Sequence, residues 1–118
     1  MKTKILKASL MLLLLPAFLF AQTEKKKTDV IYIQTSAMCD ECKSTIEHAV
    51  KELKGVKKVN LSLTDKKVMV EYKTSKVSVS EIKTAISKAG YDADEVKADP
   101  IAYGDLPMCC KKDGGEKH

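Results

Sequence analysis

The stretch Val30–Leu53, VIYIQTSAMCDECKSTIEHAVKEL, decides how the chain folds. It opens with Val30–Thr35, a run rich in β-branched and aromatic residues that places Ile31 and Ile33 on one face of an extended strand. Beyond a short loop the period changes. From about Asp40, Cys42, Ile46, Ala49, Val50 and Leu53 recur at spacings that share one face of a helix. Gly55 then stands where helices commonly end in a left-handed residue. The reading is strand, loop, helix, with Cys39 in the loop and Cys42 in the first helical turn.

The C-terminal side repeats the theme. Val59, Leu61 and Leu63 alternate with polar residues, Thr64–Lys67 is a turn candidate, and Val68, Val70 and Tyr72 alternate again, which predicts two strands joined by a turn. Ser78 with Glu81 three residues on is a capping box; Val79, Ile82, Ile86 and Ala89 form an inward face, and Gly90 closes this second helix. Asp94–Lys97 is expected as a short last strand. The halves 30–63 and 68–97 are thus the same unit twice. The expectation is an α+β, ferredoxin-like βαββαβ sandwich: a four-stranded antiparallel sheet with two helices on one face.

On the N-terminal side, residues 22–29 read as a charged linker and residues 1–21 as a secretory signal peptide. Lys2, Lys4 and Lys7 precede the apolar run Leu10–Phe20, and Ala21 precedes the expected cleavage point. The apolar run is shorter than the roughly 20 residues a spanning helix needs. This predicts a periplasmic or secreted protein, off the membrane after cleavage, in a compartment where thiols can oxidise. Past residue 97 the pattern stops, and 98–118 is expected to be a flexible cysteine-containing tail, with Ile101, Tyr103 and Leu106 as its candidates for packing.

Composition removes several functions. At 118 residues, 44% apolar and 31% charged, the chain has room for one small globular domain. Every basic residue is Lys, and loss of the leader lowers the net charge from +5 to about +2. With no Arg, no Trp and no strong field, nucleic acid is not an expected partner. There is no Ser–His–Asp set, no carboxylate pair in a pocket and no phosphate-cradling glycine loop, so an enzyme is not expected.

The chemistry therefore falls to the four cysteines, Cys39, Cys42, Cys109 and Cys110. Amide dipoles at a helix N-terminus favour thiolate over thiol. Two thiolates three residues apart can converge on one ion, and soft sulfur selects Cu(I) or Zn(II) over Mg(II) or Ca(II). Structural zinc wants four ligands, so two sulfurs alone favour a low-coordinate ion, Cu(I) first. Cys109-Cys110 admits three readings: a tail folded back to add one or two thiolates to Cys39 and Cys42, a second ion held with Met108 or His118, or disulfides within or between chains. A third and fourth sulfur would favour zinc or cadmium. His48 is expected to face solvent, away from the cysteines. Lys43, Lys51, Lys54, Lys57 and Lys58 read as a solvated face with a Glu47–Lys51 pair, or as a docking patch for an acidic partner.

The segment Thr35-Ser36-Ala37-Met38-Cys39-Asp40-Glu41-Cys42 resembles the metal-binding loop of heavy-metal-associated domains, and Ala89-Gly90-Tyr91-Asp92 is similar to the same family. The resemblance covers residues 30–97. It implies the sandwich fold, Cys39 and Cys42 as metal ligands, and Tyr91 near the site, modulating access. Two positions depart from the family pattern. Met38 directly precedes Cys39, leaving Ala37 where the family carries Met, and Ser36 replaces a Gly. Family members include copper chaperones, mercuric-ion scavengers and modules of metal-transporting ATPases. The expected cargo is then Cu(I), with Zn(II) or Hg(II) as alternatives. The expected partner is a metal transporter or other metal-accepting protein, and the expected state a monomer or metal-bridged dimer. The competing reading is a thiol–disulfide redox or disulfide-stabilised interaction module without metal.

Overall fold

Alternation builds the sheet as the sequence predicts. The computed structural model describes residues 27–111; the expected signal peptide, most of the linker, and His118 lie outside these. Strands β1 (Thr28–Gln34), β2 (Val56–Ser62) and β3 (Lys67–Lys73) pair antiparallel in the order β1-β3-β2. The register sets Ile31 and Val59 on either side of Val70, and Ile33 and Leu61 on either side of Val68. One face of the sheet is therefore an apolar layer, while Val30 and Tyr32 of β1 point to the opposite, exposed side.

Helices α1 (Asp40–Lys51) and α2 (Val79–Lys88) cover the apolar face. Ile46 and Val50 from α1 and Ile82 and Ile86 from α2 are fully buried in one cluster with Ile33, Leu61, Val68 and Val70. The capping box at Ser78 is present in both directions: the Ser78 hydroxyl accepts from the Glu81 N–H, and the Glu81 carboxylate accepts from the Ser78 N–H. Glu47 pairs with Lys43 at 2.6 Å, not with Lys51, because its carboxylate also accepts the Leu61 N–H of β2 at 2.7 Å.

The expected fourth strand at Asp94–Lys97 is replaced by isolated bridges. Ala93 pairs with Thr35 at the end of β1 and with Val96 of its own turn. Asp94 adopts a positive φ of 53°, its N–H donates to the Gln34 carbonyl, and its carboxylate accepts the Gln34 N–H. An Asp that tolerates the left-handed region turns the chain after one pairing, before a ladder can extend.

Residues 98–111, part of the expected flexible tail, carry a short helix and a 3₁₀ turn packed against the domain. Asp99 caps a short helix α3 (Pro100–Gly104), accepting the Ala102 N–H, with Pro100 at the first position. A 3₁₀ turn follows at Met108–Cys110. Leu106 packs on the core, whereas Ile101 is exposed. The segment seats on Gly90, whose φ of +103° needs glycine and whose missing Cβ would lie 3.1 Å from both the Ala102 oxygen and Leu106 Cδ2.

Candidate metal centre

The loop between β1 and α1 is braced at each end. Thr35 donates both its N–H and its hydroxyl to the Lys66 carbonyl, at 2.9 and 2.8 Å. Ser36, standing where the family pattern has Gly, accepts the Asp92 N–H at 2.9 Å and so ties the loop to the segment after α2. Ala37 is fully buried in the place left by the shifted methionine, and Met38 is 41% exposed with its sulfur 3.8 Å from Lys66 Nζ. Met38 thus turns toward a lysine and stays out of the sulfur cluster.

Cys39 is the N-cap of α1, and Cys42 sits in its first turn, fully buried. Both tail cysteines come to them. Cys42 and Cys110 are disulfide-bonded across 68 residues of sequence, with Cα atoms 5.8 Å apart. Cys39 Sγ lies 3.6 Å from Cys42 Sγ, 3.8 Å from Cys110 Sγ and 3.5 Å from Cys109 Sγ. Cys39 is half-buried and Cys109 exposed, and both are free thiols. Two of the three readings of Cys109-Cys110 are combined: the tail folds back on Cys39 and Cys42, and Cys110 forms an intrachain disulfide there while Cys109 stays a free thiol. The two expected ligands and the two possible additional ones thus lie in one four-sulfur cluster, in which Cys42 is closed off by Cys110.

The two free thiols differ electrostatically. The Cys42 backbone N–H holds the Cys39 thiol below the ordinary cysteine value, with the Cys109 thiol and the Glu41 N–H acting the same way against partial desolvation and the Glu41 charge. Cys109 moves upward: its hydrogen bond with Cys39 favours the protonated form, and desolvation and the Cys39 and Glu41 charges add to it. Tyr91 is 1% exposed, in the core cluster that includes Cys42 and Cys110, with its hydroxyl buried beside Thr45. Burial pushes its pKa up; the Thr45 side chain opposes this, and the nearby Cys39 and Cys109 charges add to the rise. The ring is part of the buried core next to the site and is not on the surface.

The remaining candidates lie elsewhere. His48 is exposed and pairs with Glu52 at 3.0 Å. Lys43 is held by Glu47, so one charge of the expected basic patch is already paired. Sequence reasoning missed Thr35 and Ser36 as braces; their hydroxyls flank the loop, but only the fold brings Lys66 and Asp92 to them.

Comparison with known proteins gives consistent matches. The heavy-metal-associated domain profile matches residues 33–92. The copper chaperone CopZ of Staphylococcus aureus (strain JH9) is 43% identical over 54 residues, covering 46% of this chain and 79% of its own. Oxidised MerP from Ralstonia metallidurans CH34 superposes with a TM-score of 0.55 at 26% identity, over 57% of this chain and 94% of that one. The N-terminal domain of a potential copper-translocating P-type ATPase from Bacillus subtilis, in its Cu(I)-loaded state, gives a TM-score of 0.54 at 29% identity, over 57% of this chain and 85% of its own.

Proposed function

Because the chain belongs to the heavy-metal-associated domain family, we propose that it is a metal carrier that captures a soft ion, Cu(I) first, through Cys39 and Cys42 and passes it on. The observation that carries this reading is the placement of Cys39 at the α1 N-terminus, half-exposed and with its thiol pKa lowered, within 3.8 Å of three other sulfurs. Sulfur donors in that number select thiophilic d¹⁰ ions. Once the Cys42–Cys110 bond takes two electrons and two protons from a thiol reductant, Cys42 joins Cys39 as a ligand.

Transfer proceeds by ligand exchange. An acceptor thiolate enters at the exposed side before an original ligand leaves, so the ion is never free. The acceptor is a metal-accepting domain of a transporter or a similar protein, in line with the P-type ATPase domain among the relatives. A periplasmic or secreted setting rests on the leader-like residues 1–21. Among the described residues no helix is long and apolar enough to cross a membrane.

A Cu(I) competition titration of the reduced chain tests the reading. Tight one-to-one binding is expected, and its loss in Cys39→Ser/Cys42→Ser. The closed Cys42–Cys110 bond favours a second reading, a disulfide-stabilised or redox module without metal. Failure of the reduced chain to bind Cu(I), Zn(II) or Hg(II) would transfer the assignment to it.

A further inference from the structure

Closing Cys42 to Cys110 consumes one of the two loop cysteines, yet it does not leave Cys39 alone. The same fold-back sets Cys109 against it. Their sulfurs are 3.5 Å apart, both are free, and both reach the surface. The placement of Cys109 does not depend on a loose tail. Helix α3 is capped by Asp99, the Asp99 N–H donates to the Ser87 carbonyl at 3.0 Å, and Ala102 and Leu106 abut Gly90. The 3₁₀ turn is closed by the Cys110 N–H donating to the Pro107 carbonyl at 2.9 Å. The disulfide adds a covalent tie one residue away from Cys109.

We propose that Cys39 and Cys109 form a second two-thiolate site for a soft d¹⁰ ion, available while the Cys42–Cys110 disulfide is closed. This rests on the reading of the chain as a soft-metal carrier and extends it to the oxidised state. A linear sulfur–metal–sulfur unit with bonds of about 2.3 Å needs sulfurs up to ~4.6 Å apart, so the pair must part by only ~1 Å. Cys109 is exposed and on a short turn, so it can supply that movement while Cys39 stays on its helix. Two deprotonated sulfurs match the low coordination that Cu(I) and its congeners accept. In the reduced chain the loop pair Cys39 and Cys42 holds the ion. In the oxidised chain Cys39 keeps it with Cys109 as the new partner, and Cys39 is the ligand common to both states.

Silver(I) is the probe, because it is a soft d¹⁰ ion that does not reduce the disulfide. The full chain is oxidised with glutathione disulfide, which takes up two electrons and two protons to give two glutathione thiols as the Cys42–Cys110 bond forms. The bond is then located by peptide mapping, and Ag(I) is titrated without added thiols. One tightly bound Ag(I) is expected in the oxidised chain. In oxidised Cys109→Ser affinity should fall at least 100-fold, although mapping still finds Cys42–Cys110 closed and thus the tail in place. The proposal is overturned if the oxidised chain takes no silver while the reduced chain does, if oxidised Cys109→Ser binds undiminished, or if the mapped bond includes Cys39 or Cys109. Absence of binding in the reduced chain as well would instead sink the carrier reading on which the proposal stands.

Discussion

Cys39 and Cys109 touch, yet their proton affinities are driven apart, and this has a direct kinetic reading. The thiolate is the nucleophile. The Cys42 N–H lowers the Cys39 pKa, and the hydrogen bond with Cys39 raises that of Cys109. In the disulfide-closed chain, iodoacetamide should therefore label Cys39 first at neutral pH. The Cys39 rate should climb through a midpoint below the ordinary thiol value, and the Cys109 rate through one above it. Peptide mass spectrometry across a pH series checks this, and faster labelling of Cys109 at neutral pH would refute the assigned electrostatics. At this scale the sequence was informative: Cys39 and Cys42 could be placed at a helix start from the period of Ile46, Ala49 and Val50 alone. The shift of Met38 was visible too. Its consequence, Ala37 buried in the vacated place and Met38 turned to Lys66, needed the packed loop.

Among the elements, the strands and the two long helices follow local pattern closely, because each carries its own period of two or 3.6, and α2 its capping box as well. The fourth strand does not. Asp94–Lys97 is too short for alternation to mean much, and the Asp94 carboxylate on the Gln34 N–H turns it instead. Helix α3 is only five residues long and lacks a buried residue of its own. Its order comes from contact with Gly90 and from Leu106 against the core, neither of which leaves a periodic trace. Gly90→Ala tests that contact. The positive φ alone should cost on the order of 1–2 kcal/mol, and the added Cβ crowds Ala102 and Leu106. We expect a lower urea midpoint at an unchanged slope. An unaltered midpoint would mean that neither the positive φ nor the contact with Ala102 and Leu106 constrains this position.

For the whole molecule, the sulfur cluster joins segments that the chain keeps 68 residues apart. Cross-linking over a loop of that length restricts the unfolded chain by roughly 4 kcal/mol in the loop-entropy account. Cys110→Ser should accordingly melt well below the oxidised parent, and the gap should narrow when both are measured in reductant. A gap that persists in full under reductant would assign the difference to Cys110 packing and not to the bond. The pairing itself was beyond the sequence, since four cysteines permit three complete pairings and several partial ones. What the chain did announce was the pair of adjacent cysteines, Cys109 and Cys110, far in sequence from Cys39 and Cys42.

The Cys42–Cys110 bond also changes the topology of the polypeptide. With it closed, the backbone from α1 through β2, β3, α2 and α3 is a covalent ring, and β1 is the arm that enters it. The β2–β3 turn with Lys66, and Lys67 at the start of β3, lie on that ring. A protease that severs one peptide bond there opens the ring without dividing the molecule, and all four sulfurs remain on a single covalent body until a reductant releases them.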